Sequence, residues 1–250
     1  MLDFSVIIKL QSYILQLSYF PSAMSVQKKN KSRHVNKAYV SRLSKYQSGE
    51  IPPTETIALT ETGSIVFYEN LFVVDKADKI LKLCHDLDIK VPTFKNFQNR
   101  LVKQSRPSIW FGPVPYSYSN VTLHNHSFSE TKYGWLEQLR KDMAKVFEVE
   151  LNSCLVNQYR DGADKVEWHA DNELIFGVNP TIVSLSFGVT RKFEICRSCK
   201  YPRHQDYSFD LAHGSVILMK GDMQKNWLHR VPSDRSCKGV RYNLTFRNVV

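Results

Sequence analysis

A mainly β fold with a few flanking helices is what this chain predicts, and three observations predict it. From residue 151 onward, short apolar or alternating runs follow one another to the C-terminus, separated by turns and by no helical period. Two amphipathic helical stretches sit upstream of them. A length of 250 residues holds one well-cored domain and a tail. Successive short strands without crossover helices argue for a sandwich, a jelly roll or a barrel, an α+β architecture that is mostly β. A hydrophobic fraction of 42% and an aromatic fraction of 12% exclude a disordered chain.

Residues 1–60 lack sustained periodicity and run into Pro52-Pro53, so they read as a basic flexible extension ahead of a domain at 61–250. Residues 1–49 carry eight Lys/Arg against one acid, Asp3, a net +7 of the chain's +10. The remaining +3 leaves the domain only mildly basic. The apolar stretch 4–20 is broken by Lys9, Gln11, Ser12, Gln16 and Ser18 and lacks a basic flank, which argues against a secretory signal and falls short of a membrane span. The run Lys28-Lys29-Asn30-Lys31-Ser32-Arg33 reads as a nuclear import signal, a nucleic-acid contact or a solvated tail. Nucleus, with cytoplasm beside it, is the expected location. A mitochondrial presequence is the minor alternative, since acids are scarce before Glu50, although Asp3 and the use of Lys over Arg oppose it.

Five scattered cysteines, an odd number, fit a reducing compartment better than a disulfide framework. Cys196-Arg197-Ser198-Cys199, with His204 and Cys237, is a weak zinc pattern because the second pair is missing, and free thiols are the expectation.

Order begins at Ile65–Tyr68, a strand. Asp75 reads as the N-cap of a helix that buries Ala77, Ile80, Leu81, Cys84 and Leu87. Strand-and-loop material at 89–115, punctuated by Pro92, Pro107, Pro113 and Pro115, leads to a second helix over about 132–148 with Trp135, Leu139, Met143 and Val146 or Phe147 inward. The expected strands are then Cys154–Tyr159, Val166–His169, Ile182–Phe187, Lys192–Cys196, Tyr207–Leu211, Ser215–Met219, Asn226–His229 and Arg241–Arg247.

Chemistry concentrates in two of these. On an extended segment His169 and Asp171 share one face, so they can share a metal ion. His229, sixty residues on in Trp227-Leu228-His229-Arg230-Val231-Pro232, is the candidate third ligand. Two histidines and a carboxylate form the facial triad of non-haem Fe(II), with positions left for O2 and a co-substrate. Zinc could use the same ligands, but hydrolytic zinc needs no pair of inward arginines. Alternation along Arg241-Tyr242-Asn243-Leu244-Thr245-Phe246-Arg247 supplies such a pair: Arg241, Asn243, Thr245 and Arg247 share a face suited to a dicarboxylate.

The chain resembles the AlkB family of Fe(II)/2-oxoglutarate-dependent dioxygenases, which reverse base alkylation. The resemblance rests on Asn157-x-Tyr159-x-Asp161-Gly162, Trp168-His169-x-Asp171, Ser184-Leu185-Ser186-Phe187-Gly188 and Arg191-x-Phe193. It continues through His213-Gly214-Ser215, His229-Arg230-Val231-Pro232 and the C-terminal strand, over roughly 63–247. It implies a double-stranded β-helix, or jelly-roll, core flanked by helices. It implies His169, Asp171 and His229 as ligands of Fe(II), and Asn157, Tyr159, Arg241, Asn243, Thr245 and Arg247 as the 2-oxoglutarate site, with O2 as co-substrate. Trp110-Phe111-Gly112 and Tyr116-Ser117-Tyr118-Ser119 resemble a nucleotide-recognition lid at about 92–123, and Phe94 stands at a lid position that touches substrate. By spacing alone Tyr116 and Tyr118 read as packing residues, but their Pro- and Ser-rich surroundings favour an exposed lid and base contact. Asn172 and Glu173 follow the triad, Glu173 favouring a cationic methylated base. Close relatives read His-x-Asp-Asp-Glu there, so Asn172 replaces an acid. The implied activity is demethylation of 1-methyladenine and 3-methylcytosine in DNA, chiefly single-stranded, and in RNA, by a monomer that engages no membrane. A catalytically lapsed nucleic-acid-binding module, and an oxygenase acting on protein or small molecules, are the competing readings.

Overall fold

The computed structural model describes residues 54–96, 98–198 and 205–250, and Pro53–Val250 forms one compact unit. The basic run at 28–33, Cys199 and His204 lie outside the described residues. Strands β1 (Thr54–Ala58) and β2 (Ser64–Tyr68) form a hairpin, so regular structure begins inside the stretch expected to be extension. Helix α1 (Val74–His85) follows. Its N-cap is Val73 rather than Asp75, which lies in the first turn as an acid favoured by the helix dipole. Ala77, Ile80 and Cys84 are buried, while Leu81 and Leu87 are only half-buried.

Six short strands come next: β3 (Thr93–Lys95), β4 (Leu101–Lys103), β5 (Ser108–Phe111), β6 (Tyr116–Tyr118), β7 (Val121–Leu123) and β8 (Asn125–His126). The pairs β3–β4 and β6–β7 are small separate hairpins. Helix α2 (Gly134–Phe147) buries Leu136, Leu139, Met143 and Phe147; Leu136 takes the inward place expected of Trp135, which is half-buried.

The remaining strands are β9 (Ser153–Tyr159), β10 (Val166–His169), β11 (Ile182–Gly188), β12 (Arg191–Arg197), β13 (Tyr207–Leu211), β14 (Ser215–Lys220), β15 (Trp227–Val231) and β16 (Arg241–Arg247). Each overlaps its expected strand. The expectation of no helix among them needs correction: a 3-10 turn at Leu174–Phe176 and the one-turn helix α3 (Met223–Asn226) intervene.

Eight strands join in the order β1-β2-β14-β11-β16-β9-β5-β8, and four in the order β10-β15-β12-β13. Ile65 and Ile217 of the larger sheet share a core with Phe193, Ile195, Phe209 and Trp227 of the smaller, so the sheets pack face to face as a jelly roll. The helices cover the other face of the larger sheet: Tyr68 meets Phe147 and Tyr242 meets His85 at ring separations of 5.6 and 5.1 Å. Covering both faces explains why every residue of β16 is buried.

Candidate functional site

Residues of both sheets and both small hairpins line one cavity of about 290 Å³. On the smaller sheet, β10 and β15 pair antiparallel with His169 opposite His229, ring centroids 4.2 Å apart. Asp171 lies just past the end of β10, and one ligand atom from each of His169, Asp171 and His229 falls within 4.8 Å of the others. The backbone oxygen of Glu167 lies 2.8 Å from His169 Nδ1. An oxygen only accepts, so Nδ1 carries the proton and Nε2 is left to bind a metal. Arg247 donates to Asp171 Oδ2, leaving Oδ1 facing His169 Nε2 at 3.5 Å.

Burial alone would raise the Asp171 carboxyl, but the charge of Arg247, with His229 and His169, holds it well below the usual carboxylate range. Burial and the neighbouring His169 push His229 down to about 3, so its imidazole is neutral at working pH. An ionised carboxylate and imidazole nitrogens converging on one point, with His229 Nδ1 buried and unpartnered, fit a divalent transition-metal ion.

On the larger sheet, Arg241, Asn243, Thr245 and Arg247 face the cavity as alternation requires. Arg241 is 1% exposed and donates through one terminal nitrogen to Ser186 Oγ at 2.8 Å, while its Nε and other terminal nitrogen have no partner. The guanidiniums of Arg241, Arg191 and Arg106 lie 4.9, 5.5 and 5.9 Å from the Tyr159 ring centroid. Burial pulls Arg241 down to about 10, with the charges of Arg191 and Arg106 adding to the effect. Unfilled donors on a buried cation call for an anion, and a carboxylate fits. Asn157 Oδ1 accepts from Arg106 Nε and Ser108 Oγ, each at 2.9 Å. Asn243 braces the sheet: its amide donates to Ser184 Oγ and the Leu185 carbonyl, and Thr245 donates to its oxygen.

At the mouth, Phe94, Tyr116, Tyr118 and Glu173 line the cavity. Tyr118 is tied to Gln104 and Tyr116 donates to Glu173 Oε1 at 2.9 Å. Trp110 and Phe111 correct the expectation that they belong to a lid. Both are 0% exposed in β5, the Trp110 indole donates to the Val114 carbonyl, and both rings pack in the core. Ser117 is exposed and paired with Thr122, and Asn172 is exposed; neither belongs to the cavity wall.

Sequence reasoning missed Arg106 and Gln224. Alternation through Arg106-Pro107-Ser108 was the available signal for Arg106, since Ser108 registers with Asn157. Gln224 accepts from the Asp171 backbone N–H at 2.9 Å across 53 residues, a contact with no local signature. Arg191, part of the matching text, is a staple: it donates to the carbonyls of Asp161, Asp164 and Pro232, binding the loop after β9 to the loop after β15.

A family model described as the 2OG-Fe(II) oxygenase superfamily matches residues 64–247. The human alpha-ketoglutarate-dependent dioxygenase alkB homolog 3 is 36% identical over 206 residues, covering 77% of this chain and 69% of that one. The Arabidopsis thaliana DNA oxidative demethylase ALKBH2 is 33% identical over 194 residues, covering 63% and 62%. The solved structure of OsALKBH1 shares the fold, with a TM-score of 0.51 at 17% identity over 74% of this chain and 97% of that one. With the His-Asp-His cluster and the unpaired Arg241 on one cavity, these likenesses converge: the chain belongs to the 2OG-Fe(II) oxygenase superfamily and, within it, to the AlkB-type α-ketoglutarate-dependent dioxygenases.

Proposed function

We propose that the protein oxidatively demethylates 1-methyladenine and 3-methylcytosine in nucleic acid, single-stranded DNA foremost. The observation that carries this reading is Glu173. Its Oε1 is held by Tyr116, while Oε2 is buried without a partner beside the iron-ligand cluster. These methylated bases carry a positive charge that their parents lack, and a carboxylate with a free oxygen favours the charged form. The names of the human and Arabidopsis relatives support the same substrate class.

His169, Asp171 and His229 would hold Fe(II), and Arg241, with Asn157 and Tyr159 beside it, would hold a carboxylate of 2-oxoglutarate. When bound, the pair supplies O2-dependent hydroxylation of the N-methyl group, 2-oxoglutarate leaving as succinate and CO2 and the methyl group as formaldehyde. Arg247 keeps one oxygen of Asp171 occupied and so presents the other. Tyr116 orients Glu173 toward the cavity, and Phe94 and Tyr118 flank the space a base would enter. Within residues 92–123, Phe94, Tyr116 and Tyr118 then act as the lid, while Trp110 and Phe111 stay in the core. A base must leave its stack to enter, and a single strand releases one at least cost. We propose the nucleus, with cytoplasm beside it, as the location, and the run Lys28-Lys29-Asn30-Lys31-Ser32-Arg33 as the import signal.

The test is formaldehyde release from matched DNA and RNA single strands carrying one 1-methyladenine or 3-methylcytosine, with Fe(II), ascorbate and 2-oxoglutarate, and His169→Ala as control. Release that the control abolishes is expected, and the DNA-to-RNA ratio ranks the substrates. Tight binding without release would replace the reading with a lapsed binding module; neither would redirect it to proteins or metabolites.

A further inference from the structure

Asp171 is held where the sheet cannot hold it. It lies beyond the last residue of β10, and the β10–β15 register already shifts between Val166 and His169, so no ladder bond fixes its backbone. Gln224 stands in for the missing ladder acceptor. It is 2% exposed, and its Oε1 takes the Asp171 N–H at 2.9 Å. An N–H only donates, which sets the amide orientation. Nε2 then points at the Met219 and Met223 sulfurs, at 3.4 and 3.8 Å, weak acceptors that do not draw the amide away. Gln224 sits in α3, which runs directly into β15 and its ligand His229.

We propose that Gln224 is a positioning residue for the metal site: by fixing the Asp171 backbone it aims the carboxylate and sets metal affinity. Arg247 pins the far end of the same side chain at Oδ2, so Asp171 is held at both ends and only Oδ1 is free to ligate. Because α3 carries Gln224 and leads into His229, one short element places two of the three ligands. The inference rests on the metal site of the superfamily and is independent of which base, or whether a base, is the substrate.

The alternative is that Gln224 merely satisfies a buried N–H, which would affect stability and leave metal affinity alone. The two separate in Gln224→Met, which keeps the volume and removes the acceptor. Co(II) serves as the redox-inert probe, titrated by calorimetry into the full-length metal-free protein with 2-oxoglutarate present, and the visible bands of bound Co(II) are recorded. The Co(II) Kd is expected to rise about tenfold or more and the bands to shift, as for other groups that orient ligands. A wild-type Kd with wild-type bands, whatever the Tm, overturns the proposal. Gln224→Glu keeps an acceptor and is expected to hold Co(II) within about threefold of wild type; a Kd as weak as that of Gln224→Met would also overturn it. Should Gln224→Met fail to fold, Gln224→Asn, one methylene shorter, is read the same way: weaker Co(II) binding supports the proposal and an unchanged Kd ends it.

Discussion

The two strands that supply the site are built oppositely. β16 runs through the middle of the eight-stranded sheet, pairs in unbroken register with β9 and β11, and is buried on both faces. β10 is a four-residue strand at the edge of the small sheet, half-exposed, with a register shift before His169. The anion half is therefore formed before any ligand arrives, whereas the metal half depends on side-chain ties such as Gln224 and Arg247 to Asp171. A charged anchor gains most from a dry, rigid sheet, and an open metal site needs a strand that ends early to leave room for co-substrates.

Substitutions on the two halves should therefore differ in kind. The largest effect is expected of His169→Ala, half-exposed at the edge. Metal binding and turnover should vanish together while the metal-free Tm stays within about 2 °C, as read by calorimetric titration and thermal melts. Next is Trp110→Ala in the wide sheet. Emptying that site should cost about 3–5 kcal/mol in urea unfolding, and a stable variant with altered base preference would restore Trp110 to the lid. Arg241→Ala should weaken 2-oxoglutarate by about 3 kcal/mol, roughly a hundredfold in its KM. Its metal-free Tm should hold within a few degrees, since removing an unpaired buried charge offsets lost packing. A collapse of the fold instead would mean Arg241 is structural first. Glu173→Gln should lower kcat/KM on a 1-methyladenine oligonucleotide about tenfold and leave substrate-free 2-oxoglutarate turnover as it was; a parallel fall in both would assign Glu173 to the metal side. The smallest is Ser117→Ala, expected to move stability by less than about 0.5 kcal/mol and KM not at all.

Legibility in the sequence followed the same division. The cavity face of β16 was readable because alternation in an extended strand is a local property: Arg241, Asn243, Thr245 and Arg247 had to point one way. His169 and Asp171 were readable by spacing. The third ligand needed His229 brought across the sheet, which its matching text implied and the β10–β15 pairing shows. Trp110 and Phe111 misled because their place in the lid came from resemblance alone, whereas β5 is inserted beside β9 and their rings pack against Phe176 and Tyr133. Asp75 misled because an acid in the first turn and an acid at the cap are the same residue type, and here it lies two positions past the cap, Val73.

By itself the sequence determined the eight strands after residue 151, the residue types of the metal site and the paired arginines of the last strand. These follow from short-range periodicity and from ligand chemistry that few residue types can supply. Only the tertiary structure decided which polar groups support them. Gln224 reaches Asp171 across 53 residues and Arg106 reaches Asn157 across 51. Gly162 is packed so closely that a Cβ would meet the Asp234 carbonyl oxygen at 1.5 Å. Contacts of that kind depend on how two distant segments approach each other, and no local pattern of residues carries that distance.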